Sequence, residues 1–325
     1  MADLTTSYLG LSLANPVIAA SSGLCSTPEG VSRAFDGGAG AVVLKSLFEE
    51  QLRAELKAIE GQTPSHPEAE AFLEGMGMNE GADEYLRLIG AAKKLGKGPV
   101  IASVNCVGRG LWLDFAKRVE AAGADAIELN IASLPADPDE KAEAIEDRAV
   151  SLTRAVAAAV SLPVAVKLGA SYTAPANLLS RLAKAGAKAA VLFNRFYRMD
   201  VDLDAMSLSA GPMKTSPEAY HESLRWISIL EGRVGLELAA SGGVYDGLAG
   251  LKLVAAGAQA VQVCSAAYAR GYAAYGAIRD EMGAWLDKRG IKSLAEIRGR
   301  LARRNAEKPE LYGRLQYVKA LTGQA

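Results

Sequence analysis

The sequence predicts an α/β fold, a TIM (β/α)8 barrel with long loops at the C-terminal face of its strands and a helical C-terminal tail. Three observations predict it. Eight short apolar runs punctuate the 325 residues, helix-period patterns lie between them, and one phrase recurs where a helix closes and a strand opens. The phrase reads Gly37-Gly38-Ala39-Gly40-Ala41-Val42-Val43-Leu44, and it returns at 121–129, 184–192 and 255–263. Glycine suits the left-handed position that ends a helix. An unbroken apolar run suits a strand covered on both faces, as in a parallel sheet. A doubly wound sheet would instead need G-x-G-x-x-G after the first strand, where Ser21-Ser22-Gly23-Leu24-Cys25 stands.

In chain order the predicted strands are 15–21, 41–45, 99–105, 126–131, 163–168, 189–194, 235–240 and 260–264. A helix from about 113 to 122 precedes the fourth strand, and Leu178, Leu179, Leu182 and Ala183 form the apolar stripe of another. Two connections are too long for plain turns, 46–82 after the second strand and 195–217 after the sixth. Long loops of this kind are usually lids or binding segments, and barrel enzymes build their sites at the strand C-termini. Residues 266–290 read as one helix, and the tail carries Arg298, Arg300, Arg303 and Arg304 on what reads as a solvated face. The expected division is a barrel over residues 1–290 and a helical extension packed on it over 291–325.

Composition narrows the function. Lys+Arg 36 against Asp+Glu 37 gives a net charge of -1, which supplies no basic field for nucleic acid or anionic lipid. Cys25, Cys106 and Cys264 are far apart, so neither a zinc site nor an iron–sulfur cluster is expected, and His66 and His221 are isolated. No run of about 18 apolar residues suggests a membrane span. No basic segment followed by an apolar run opens the chain, so a reduced, cytoplasmic protein is the expectation.

Polar residues interrupt the apolar strands at one end. They are Ser21, Ser22 and Gly23; Lys45 and Ser46; Asn105; Glu128, Asn130 and Ser133; Lys167; Asn194 and Arg195; Ser241, Gly242 and Gly243; Cys264 and Ser265. In a barrel these converge on one pocket, where buried charges need partners. Glycines after strand 7 and the Cys264-Ser265 pair after strand 8 match the phosphate cradle of barrel enzymes. Arg195 and Arg198 are candidates to pair a carboxylate. Asp200, Asp202 and Asp204 alternate in the same loop, read as solvated or Arg-paired rather than as metal ligands.

Taken in order, these residues resemble the dihydroorotate dehydrogenases. The resemblance rests on Asn15-Pro16, Ala20-Ser21-Ser22-Gly23, Val43-Leu44-Lys45-Ser46, Met76-Gly77-Met78, Glu128-Leu129-Asn130, Val166-Lys167-Leu168, Ser241-Gly242-Gly243 and Cys264-Ser265-Ala266. It runs from about residue 4 to 300 and is most like the soluble class 1 branch. It implies a flavin mononucleotide (FMN) enzyme, often a homodimer, that oxidises dihydroorotate to orotate or acts on a related dihydropyrimidine-like ring. By position, Ser21, Ser22 and Gly23 would lie along the flavin, with Lys45 and Ser46 at flavin and substrate. Asn105 and Asn130 would bond the ring or substrate. Lys167 would place charge near N1, and Ser241, Gly242, Gly243, Cys264 and Ser265 would hold the phosphate. Met76, Gly77, Asn194 and Arg195 would border the substrate.

The family's base falls on Ser133, in Asn130-Ile131-Ala132-Ser133-Leu134-Pro135. Soluble members place cysteine there and membrane-associated ones serine, and a serine base needs a proton relay. The chain departs from the family pattern where Leu134-Pro135 replaces Pro-Asn, where Glu74 stands for the asparagine before Met-Gly, and where Asn194-Arg195 replaces Asn-Ser after the sixth strand. Two other function classes fit the residues. One is a Schiff-base aldolase or lyase using Lys167 or Lys45. The other is a non-catalytic FMN-binding paralogue that has lost its substrate asparagines.

Overall fold

The computed structural model describes residues 1–49, 51, 81–106, 112–195 and 198–323. Eight parallel strands form the barrel, and each coincides with a predicted run. They are β3 (Val17–Ala19), β4 (Ala41–Val43), β6 (Val100–Cys106), β7 (Ala126–Ile131), β8 (Val164–Leu168), β9 (Ala189–Leu192), β12 (Glu237–Ser241) and β13 (Ala260–Val263). The sheet runs β4-β3-β13-β12-β9-β8-β7-β6, and the pairing of β4 with β6 closes it. The short β5 (Leu47–Phe48) adds to the far end of β6, with Leu47 opposite Val104.

The phrase that repeats in the sequence works as the sequence suggests. Gly38, Gly123, Gly186 and Gly257 have positive φ (103°, 92°, 106° and 125°) and end the helices that lead into β4, β7, β9 and β13. The helices α1 (Pro28–Asp36), α2 (Ala82–Lys94), α3 (Trp112–Ala121), α4 (Ala142–Ala159), α5 (Pro175–Lys184), α6 (Tyr220–Leu230) and α7 (Gly247–Ala256) cover the barrel. They pack apolar stripes such as Leu178, Leu179 and Leu182 on the outward strand residues.

Three features differ from the sequence expectation. First, an antiparallel hairpin of β1 (Thr6–Tyr8) and β2 (Leu11–Leu13) precedes the barrel. Tyr8, Leu9 and Leu13 pack among Ile18, Ala41, Val43, Ile101, Ala126, Ala165, Ala189 and Ala260, and so plug the barrel at its N-terminal end. Small alanines leave the room the plug occupies. Second, the connection after β9 carries its own antiparallel hairpin, β10 (Met199–Asp202) with β11 (Ser207–Ala210), and both strands are largely exposed. Asp202 accepts the amides of Asp204 and Ala205 at 3.0 Å each and so shapes its turn. Third, the single helix expected over 266–290 is two, α8 (Ser265–Arg270) and α9 (Ala273–Asp287). They break at Gly271, which has φ 76° and so leaves the helical region.

The tail is a series of short helical turns followed by α10 (Arg314–Leu321). Two of its arginines are not free surface charge. Arg298 donates to Thr6 Oγ1 at 2.7 Å, and Arg304 pairs with Glu231 at 2.9 Å.

Candidate active site

Strand alternation builds the site. Residues two apart on a strand share a face, so Ala126, Glu128 and Asn130 climb the barrel interior in one line. Ile101, Ser103 and Asn105 climb in another, Ala165 and Lys167 in a third, and Ala260, Gln262 and Cys264 in a fourth. The lowest members belong to the apolar plug layer. One pleat higher, Ser103, Glu128, Lys167 and Gln262 are all buried. Lys167 Nζ donates to Gln262 Oε1 at 2.8 Å, and Gln262 Nε2 donates to Glu128 Oε2 at 2.5 Å. Lys167 and Glu128 approach to 3.8 Å. The other carboxylate oxygen, Glu128 Oε1, is buried and accepts no hydrogen bond from another described residue.

Above this layer lies a cavity of about 210 Å³. Ser21, Lys167, Asn194, Arg195, Gln262, Ser241, Gly242, Gly243, Cys264 and Ser265 are among its walls. Nine residues predicted for the site are thus brought to one mouth, and Ser46 and Asn130 are held against it by hydrogen bonds. Ser21 Oγ meets Ser46 Oγ at 3.0 Å, which meets Ser103 Oγ at 2.8 Å. Tyr85 fixes the last of these by bonding both the carbonyl and the amide of Ser103, at 2.8 and 2.7 Å. Asn194 Nδ2 donates to Asn130 Oδ1 at 2.9 Å.

The far side of the cavity is a glycine cradle. Gly242 and Gly243 have φ 97° and 72°. A Cβ on Gly243 would fall 2.3 Å from the amide nitrogen of Tyr220, so α6 packs too closely for any side chain there. Neither glycine amide donates to another described residue. Ser265 Oγ accepts the Thr215 amide at 3.0 Å, and Tyr245 bonds the Thr215 carbonyl at 2.8 Å. These bonds tie the end of the long connection after β9 to the cradle. Ser22 Oγ is buried without a hydrogen-bond partner among the described residues. Burial raises the thiol pKa of Cys264, and that of Cys25 to about 12.

The remaining predicted residues sit as follows. Lys45 is half-buried at the end of β4, and its amide donates to the Cys25 carbonyl at 3.2 Å. Asn105 ends the interior line of β6, half-buried. Ser133 is half-buried two residues beyond β7 and makes no hydrogen bond to a described residue. Gly23 is exposed in the turn after β3. Arg195 directs its terminal nitrogens at the carbonyls of Pro212 and Met213, and its Nε is buried without a partner among the described residues. Met76 and Gly77 lie outside the described residues. An open groove of about 800 Å³ lies at the other end of the barrel, where Leu9, Lys188, Glu231 and Glu237 line it. It touches none of these side chains.

A family model described as dihydroorotate dehydrogenase matches residues 3–286. The chain belongs to the dihydroorotate dehydrogenase family. The catalytic subunit of dihydroorotate dehydrogenase B (NAD(+)) from Thermoplasma acidophilum is 26% identical over 312 residues, covering 92% of this chain and 99% of that protein. The corresponding subunit from Methanocaldococcus jannaschii is 29% identical, covering 91% and 97%. A protein of Aeropyrum pernix named "Putative dihydroorotate dehydrogenase A (fumarate)" is 29% identical over 304 residues, covering 91% and 97%. Membership and these names support an oxidoreductase that acts on a CH–CH bond.

For this member of the dihydroorotate dehydrogenase family, sequence reasoning left out Gln262, Ser103 and Thr215. Gln262 was hidden in the apolar strand Ala260-Val261-Gln262-Val263. The signal that would have found it is a lone amide on the interior face, two residues before Cys264.

Proposed function

We propose that the chain binds FMN across the C-terminal mouth of the barrel and oxidises dihydroorotate, or a related dihydropyrimidine-like ring. The observation that carries this is one cavity with a buried ammonium, Lys167, on its floor and a Gly242-Gly243 cradle on its wall whose amides donate to no described residue. The residues fit the group. Backbone amides at positive-φ glycines suit a phosphate. The unpartnered Ser22 Oγ and the Asn130–Asn194 pair offer polar contacts along a ring. Lys167 supplies the positive charge that stabilises a reduced flavin at N1.

The chemistry FMN supplies when bound is acceptance of a hydride. Ser133 would take the proton from the carbon next to the substrate carbonyl, passing its own hydroxyl proton to solvent, as the neighbouring carbon gives up its hydride, leaving a C=C bond. Asn194 and Arg195 would border the substrate. Lys167 is committed to Gln262 and faces Glu128, so it serves as a fixed charge rather than a free amine nucleophile. Small-molecule chemistry is thus the function, with neither nucleic acid nor a membrane as partner, in the cytoplasm. The apolar row Met199, Val201 and Leu208, exposed on the β10–β11 hairpin, is the surface for a second copy in a homodimer.

The test is to add FMN to the purified protein, record its visible absorbance, and titrate anaerobically with dihydroorotate. Stoichiometric flavin that bleaches on titration is expected. A protein with no affinity for FMN overturns the reading. Flavin that binds but is bleached by no dihydropyrimidine makes the chain a non-catalytic paralogue. Ser133→Ala should slow bleaching by about 10²–10⁴-fold, the span of a lost acid–base group. Bleaching at the wild-type rate removes Ser133 as the base.

A further inference from the structure

At the cavity floor Lys167 belongs to a hydrogen-bonded chain whose other members, Gln262 and Glu128, have no part in the proposed chemistry. Lys167 and Gln262 line the cavity, and Glu128 stands behind them, 1% exposed. The orientation of the Gln262 amide is forced. A carboxylate only accepts and an ammonium only donates, so Nε2 must face Glu128 and Oε1 must face Lys167. The three side chains come from β7, β8 and β13, with Gln262 separated from its partners by 95 and 134 positions in the chain.

The spacing carries the argument. A direct ammonium–carboxylate hydrogen bond spans about 2.7–2.9 Å. Here the two charges stop at 3.8 Å, and the amide bonds both. A charge whose counter-ion is held away keeps more of its field on the open side. Burying two ions is costly, and an apolar layer is often the more stable choice. The plug layer one pleat below shows that this barrel builds such a layer readily.

We propose that Gln262 is a positioning residue for the flavin site. It pins the Lys167 ammonium to the cavity floor and keeps Glu128 one amide away, so that positive charge reaches the N1 edge of the ring only partly compensated. This rests on the FMN reading above.

The test is the two-electron reduction potential of bound FMN, measured by dye equilibration in wild type, Glu128→Gln, Gln262→Met and the double variant. Glu128→Gln removes the counter-charge, and the potential should rise by at least tenfold in the reduction equilibrium, about 30 mV. Gln262→Met lets the ammonium close on Glu128, and the potential should fall by a similar factor. The fall should vanish in the Glu128→Gln background, as coupling through one charge pair requires. Potentials that stay within that margin of wild type, or that both move the same way, overturn the proposal. If Glu128→Gln does not fold, Gln262→Met decides alone, because an unchanged potential leaves the amide passive. Wild-type protein that takes up no FMN overturns the underlying reading instead, and uptake is measured first.

Discussion

The two ends of the barrel interior are built from the same strands to opposite purposes. On β7, Ala126 belongs to the N-terminal layer and Glu128 to the layer above it. On β8 the pair is Ala165 and Lys167, and on β13 it is Ala260 and Gln262. At the N-terminal end small side chains admit Tyr8 and Leu13 from the hairpin, which fill the space with apolar volume. Glu237 accepts the Leu9 amide at 2.6 Å and fixes the plug's turn. One pleat higher, two charges and an amide replace the apolar fill. Buried charge is poor for stability, so a strand that switches from alanine to lysine within two residues is supplying something other than stability. The interior thus divides into a floor that holds the fold and a ceiling proposed to hold the chemistry.

The largest expected effect breaks the ceiling. Lys167→Met leaves Glu128 buried without its lysine counter-charge, and its Oε1 has no hydrogen bond from a described residue to begin with. Removing one partner of a buried pair costs about 3–5 kcal/mol. Urea unfolding followed by circular dichroism should show that loss, together with loss of FMN binding. Adding Glu128→Gln should recover most of the stability without restoring the flavin site. If the single variant is as stable as wild type, the polar layer is not a coupled unit.

The floor should respond in the opposite way. Leu13→Ala removes a fully buried side chain of the plug and should cost about 2–5 kcal/mol, depending on how far the hairpin relaxes. FMN affinity at the far end should not change, because sites that share no partner behave additively. Weaker flavin binding in step with the lost stability would mean that the two layers are coupled.

How much of this was legible in sequence follows the same division. The strands and the residues at their C-terminal ends stand out because polar groups at the end of an apolar run are conspicuous, and the glycine that closes four of the helices marks the register. The plug does not stand out. Its turn places Leu9 at φ 57° and Gly10 at φ 72°, where hairpins ordinarily use Asn-Gly or Asp-Gly. A leucine at the first position hides the turn. Its strands are three residues each, too short to display alternation. Gln262 escaped for a different reason. Its two partners are distant in the chain, and only closure of the barrel brings them within hydrogen-bond reach.

The smallest effect is also the sharpest probe of the floor. Tyr8 is fully buried, and its hydroxyl has no hydrogen-bond partner among the described residues. An unsatisfied buried hydroxyl costs about 1–3 kcal/mol, so Tyr8→Phe keeps the volume and should stabilise the protein by about 1 kcal/mol at neutral pH. A second signature appears in alkali. Burial first, then the charges of Glu128 and Glu237, push the Tyr8 pKa well above its ordinary value of 10.0. Above that value an unfolded tyrosine has lost its proton while the folded one keeps it. The unfolded state then binds fewer protons, and stability falls as pH rises. Tyr85 and Tyr275 are raised in the same direction, so wild type should lose stability steeply above pH 10 and Tyr8→Phe less steeply. Unfolding midpoints at neutral pH and above pH 10 measure both effects. If Tyr8→Phe is less stable than wild type at neutral pH, the hydroxyl is doing work in the floor, and the division between an inert plug and a polar ceiling fails at that residue.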